Sequence, residues 1–147
     1  MEGAAAQPET PRSIGRFEPN GAWIGFDHPG ATYRFIVVHG GQTIAASADA
    51  DLLIALAIAH YTEALGGGPP DLEATPADLS ALVRHLIQEA SSPGQRALLA
   101  EALDAIDDGL AGDAVASRLA AARIAGNAQA DPVELLLARA EELLRGR

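Results

Sequence analysis

Thr32-Tyr33-Arg34-Phe35-Ile36-Val37-Val38, followed by His39-Gly40-Gly41-Gln42 and then Thr43-Ile44-Ala45-Ala46, is the stretch that decides the fold. The first run is aromatic and β-branched, the chemistry of a strand. Two consecutive glycines supply the positive φ that a tight hairpin connection needs, so the chain is expected to double back into the last run. Upstream, Ala22-Trp23-Ile24-Gly25-Phe26 has the same strand character and leads into the turn sequence Asp27-His28-Pro29-Gly30. Together these runs predict a three-stranded antiparallel meander over 22–46. A sheet this small is stable only with helices covering one face.

Those helices are legible downstream. Ser47 is the expected cap of a first helix over 48–65, with Asp49 and Asp51 favouring its dipole. Its apolar residues Leu52, Ile54, Leu56, Ile58 and Leu65 surround the axis, which predicts a central helix lying on the sheet. Three further starts share one grammar, a capping side chain followed by proline: Thr75-Pro76, Ser92-Pro93 and Asp131-Pro132. The spacing of apolar residues around the three starts does not repeat, so these are recurring caps and not a repeat protein. Asp113 is the expected cap of one more helix that ends at Gly126, read as a terminating glycine in the left-handed region. In the helix beginning near Ser92, Leu99, Leu103, Ile106 and Leu110 form the predicted buried stripe. The expected fold class is therefore α+β: a meander (22–46) and a bundle of four to five helices (48–145) in a single domain, 21–147. Residues 1–20, with Pro8, Pro11 and Pro19 and few large apolar groups, read as a flexible N-terminal arm.

Composition narrows the chemistry. The 147 residues are 48% hydrophobic and 20% charged, a globular balance, with a net charge of −10. There is no cysteine, which excludes disulfides, thiol nucleophiles and thiolate metal sites. All ten cations are arginine and they are scattered, so the bias is attributed to a GC-rich bacterial or phage genome. The acidic balance and the dispersal of cations argue against direct nucleic-acid binding. The N-terminal residues lack a basic and apolar leader, and no apolar run approaches the ~20 residues of a membrane span. A cytoplasmic protein that does not bind membranes is expected.

Motifs of catalysis are missing. No serine lies in a Gly-x-Ser-x-Gly elbow. Gly40-Gly41 and Gly66-Gly67-Gly68 lack the residues that make a phosphate loop or a dinucleotide turn. His28 and His39 lie at strand ends, where either is a candidate base beside Asp27. His60 with Glu63 (i, i+3) and His85 with Glu89 (i, i+4) are the candidate metal ligands, since these spacings place imidazole and carboxylate on adjacent turns. Against that, His85 falls about 130° from the centre of its helix's apolar stripe and is expected to face solvent. Glu101, Asp104, Asp107, Asp108 and Asp113 make the densest acidic surface, without the spacing of a calcium loop. The leading expectation is a non-enzymatic protein–protein interaction protein (an adaptor, assembly factor or structural component) with no cofactor. Its candidate contacts are Glu101, Asp104 and Asp108, and Leu135 and Leu143, an apolar surplus on the last helix that either pairs with a second copy in a homodimer or packs back on the chain's own core. The alternatives are an acidic inhibitor or decoy docking on a basic, nucleic-acid-binding partner, and a metal-dependent protein using the His/Glu set.

Overall fold

The computed structural model describes residues 12–16, 22–28, 32–40, 42–62, 76–90, 92–126 and 131–145. Its order is β1 (Arg12–Arg16), β2 (Trp23–Asp27), β3 (Arg34–His39), β4 (Gln42–Ser47), then α1 (Ala50–Thr62), α2 (Pro76–Gln88), α3 (Pro93–Asp107), α4 (Gly112–Ala125) and α5 (Pro132–Arg145). The α+β architecture expected from the sequence is present, with the meander formed by β2, β3 and β4.

The sheet gains a strand beyond that meander. β1, inside the stretch read as an arm, pairs antiparallel with β2, giving the order β1-β2-β3-β4. The physical reason is backbone accounting: without β1, the outer edge of β2 would present a row of unpaired amides and carbonyls. Pro11 and Pro19 bracket the short run, and composition averaged over twenty residues conceals it. The rest of the expected arm, 1–11 and 17–20, lies outside the described residues. Both edge strands carry a bulge, where Ile14 and Ile44 are the extra residues, and bulges blunt an edge against further pairing. Gly40 has φ 63° in the β3–β4 connection, as the hairpin requires.

α1 is the centre of the molecule. Eight consecutive residues, Leu52–Ala59, are buried. The helix meets β1 and β3 on one side and α2, α4 and α5 on the others, so no face is left for polar groups. Its cap is Asp49, not Ser47: the Asp49 carboxylate accepts from the Asp51 amide at 2.9 Å, and the Asp49 carbonyl accepts from Leu53. Ser47 remains in β4 and its hydroxyl accepts from Asp49 instead. Ser92 and Asp131 cap α3 and α5 as expected, Ser92 accepting from the Gln95 amide and Asp131 from those of Val133 and Glu134.

α4 departs from its expected ends. It starts at Gly112 after Ala111, with no side-chain cap, and Asp113 lies in its first turn. Glycine is required at the start because a Cβ on Gly112 would stand 2.6 Å from the Tyr61 carbonyl oxygen of α1. Gly126 ends the helix with φ −92°, outside the left-handed region. A Cβ there would displace the end of the Gln95 side chain. That Gln95 side chain donates to the Ala122 carbonyl at 3.2 Å, tying α3 to α4. Arg123, only 5% exposed, reaches from α4 to Asp51 of α1 with contacts of 2.7 and 3.2 Å.

α5 lies across α1, β3 and β4. Leu136 and Ala140 are buried, while Leu135 and Leu143 are half-buried and packed against the same core.

Candidate functional site

Three of the acidic residues named from the sequence meet at one place. Glu101 and Asp104 lie on the same face of α3, and Asp108 follows a turn later. With Ala105, Leu110 and Arg118 they line an open recess of about 210 Å³ between α3 and α4.

The local sequence builds this recess through the way α3 stops. Asp108 ends the helix near αR, and Gly109 turns the chain with φ 71°. The Gly109 amide donates to Ile106 and the Leu110 amide to Ala105, the paired bonds of a Schellman ending. Leu110, expected as the last buried residue of the α3 stripe, is thereby carried past the helix end and left 46% exposed. It is the correction with the most bearing on function, because an apolar side chain now stands beside three carboxylates. Leu99 and Ile106 of the same stripe are buried and Leu103 packs half-buried against the core.

The acids of this region divide into two groups. Asp107 turns toward α2, accepting from the Ser80 hydroxyl at 2.6 Å and lying 3.6 Å from Arg84. Glu101, Asp104 and Asp108 are exposed, and among the described residues none of them takes part in a salt bridge or side-chain hydrogen bond. Arg118 is held on its own helix, donating to the Ala114 carbonyl at 2.7 Å. The recess therefore combines a fixed cation, three solvated carboxylates and an exposed leucine. Such a lining can attract a cationic group and cover an apolar one.

The histidines occupy other ground. His60 stacks edge-on against Tyr61 of the same helix, ring centroids 4.9 Å apart. His85 is half-buried against Tyr33, centroids 4.9 Å apart, and not turned to solvent as its helical wheel implies. The reason is tertiary: Tyr33 follows the hairpin end of the sheet and reaches α2 on the flank of its apolar stripe. His28 covers Tyr33 at 5.1 Å, and Phe26 lies 6.2 Å away. Burial raises the Tyr33 phenol above its ordinary value, with the negative charge of Asp78 adding to the effect. Burial likewise raises that of Tyr61. Asp27 is engaged bidentately by Arg34, at 2.9 and 2.7 Å, so its carboxylate orients no histidine. His39 is exposed. Glu89 is exposed at the end of α2, and Glu63 lies outside the described residues. Among the described residues no group of three or more histidine, aspartate or glutamate side chains is placed to hold a metal ion.

No helix of the described residues is long and apolar enough to cross a membrane. No protein-family model, curated protein or solved structure matches the chain.

Proposed function

We propose that this chain is a non-catalytic protein–protein interaction protein that receives a basic, partly apolar segment of its partner in the recess between α3 and α4. The observation that supports this reading is the convergence of Glu101, Asp104 and Asp108 on the exposed Leu110. A cationic side chain gains attraction from the carboxylates, while an adjacent apolar group covers Leu110. Burying such a leucine is worth roughly 1.5–3 kcal/mol when complete. The acidic decoy is the electrostatic limit of the same reading, and its partner differs only in being a nucleic-acid-binding protein.

The test is affinity capture from the native cell at two ionic strengths, comparing the natural chain with the double variant Asp104→Arg, Asp108→Arg and with Leu110→Glu. A stoichiometric partner is expected on the natural chain, weakened by salt and lost from both variants. Circular dichroism should show the variants folded, since all three positions are solvent-facing. Equal capture by all three chains would overturn the recess as the binding site.

A further inference from the structure

The recess between α3 and α4 holds charged groups of both signs that do not pair with one another. Glu101 and Asp108 lie seven residues apart, so the carboxylates span about 10 Å along α3, with Asp104 between them. Arg118 lines the same recess from α4. Its Nη1 donates to the Ala114 carbonyl, one turn earlier on its own helix, at 2.7 Å. Among the described residues this is the only side-chain hydrogen bond of Arg118, and no salt bridge includes it. A guanidinium carries five N–H donors in a planar fork. Most of that fork is uncommitted here, beside three carboxylates.

This separation penalises a partner of a single charge. A wholly cationic segment drawn in by Glu101, Asp104 and Asp108 brings like charge toward Arg118, and the repulsion grows as water leaves the contact. A wholly acidic segment meets the three carboxylates instead. A segment carrying both signs satisfies both sides. Its cations lie along α3, its carboxylate takes the open guanidinium donors, and an apolar side chain covers Leu110. Three acids against one base keep the recess net acidic, so the segment remains basic overall.

We propose that Arg118 is the specificity-determining residue of the recess, and that the partner segment is of mixed charge: basic groups for Glu101, Asp104 and Asp108, and a carboxylate for Arg118. This rests on the recess being the binding site proposed above, and adds to it the second charge that the partner must carry. Arg118 suits that role in two ways. A guanidinium and a carboxylate match in a bidentate geometry that gives orientation as well as attraction. The side chain is also half-buried and already tied to Ala114, so it loses less freedom when a carboxylate docks.

Two short helical peptides, blocked at both ends, serve as probes. Each carries arginines and a leucine on one face, and the first has a glutamate on that face where the second has glutamine. Binding to the full chain at low ionic strength and millimolar peptide is followed through the amide NMR signals of Gly109 and Leu110, at the recess. The glutamate peptide is expected to bind about five-fold more tightly than the glutamine peptide, the upper end for an exposed ion pair. In the Arg118→Gln chain that preference should vanish, and the glutamine peptide should bind more tightly than it does to the natural chain. Equal binding of both peptides to the natural chain would overturn the inference and leave the recess as a cation-binding surface. A preference that survives Arg118→Gln would overturn it too, by placing the carboxylate elsewhere. If neither peptide moves Gly109 or Leu110, the recess itself fails as a binding site, and the role of Arg118 with it.

Discussion

α1 and α3 are of similar length, 13 and 15 residues, and both pack against α4, yet they do opposite things. α1 buries eight residues in a row, whereas α3 fully buries only Leu99, Ala102, Ala105 and Ile106 and turns Glu101 and Asp104 outward. A helix enclosed on every side fixes the arrangement of its neighbours. A helix enclosed on one side has a surface to spend on something else. The acidic recess is on the second kind, and the lesson is that the proposed binding surface is separated from the centre of stability by one layer of helices.

The most forceful way to test that division is to damage both helices equally. Leu56→Ala removes a fully buried side chain from α1 and should cost about 2–5 kcal/mol. Glu101→Ala on α3 should change stability by less than about 0.5 kcal/mol. Chemical denaturation of the two variants checks this, and comparable losses would show that α3 is as central as α1.

A second, smaller effect concerns the link between the two kinds of helix. Asp51→Ala removes the two carboxylate oxygens to which the Arg123 guanidinium, 5% exposed, donates. Because Asp51 itself is 35% exposed, water can replace part of the lost interaction. The expected loss is about 2 kcal/mol, below the range for fully buried pairs. Arg123→Met should recover part of it, since the methionine fills the same space without a charge to satisfy.

The smallest effect is a dependence on alkaline pH. Tyr33 and Tyr61 both hold their protons more tightly when folded, so in the unfolded chain they ionise first, near 10.0. Their contribution to stability is complete below pH 10 and is lost as pH rises from there through the folded values. With no lysine or cysteine in the chain, few other side chains titrate in that window. Tyr33→Phe should flatten the fall of the melting temperature above pH 10. An unchanged slope would mean that Tyr33 ionises equally easily in both states.

The elements that could be read from sequence are those whose local signals agree. The β3–β4 hairpin combines strand residues with a glycine at φ 63°, and α3 and α5 combine a capping side chain with proline. What escaped reading was settled by distant residues. Gly112 and Gly126 look like ordinary helix punctuation, but each makes room for a group from another helix, the Tyr61 carbonyl and the Gln95 amide. β1 exists because β2 has an edge to fill. In the recess, Glu101, Asp104 and Asp108 were evident as an acidic face, while Leu110 fits a helical stripe so well that only the ending at Gly109 removes it. His85 shows the converse: its helical wheel points to solvent, and Tyr33 from the sheet meets it there.

The enclosure of α1 also has a consequence for how the chain is made. Its neighbours come from both directions along the polypeptide: β1 and β3 precede it, while α4 and α5 follow. When Thr62 leaves the ribosome, α1 has its sheet but lacks its later partners, the last of which ends at Arg145. At 5–20 residues per second that interval is on the order of ten seconds. Through it, the most apolar helix of the nascent protein has a bare flank, the kind of surface that holdase chaperones recognise.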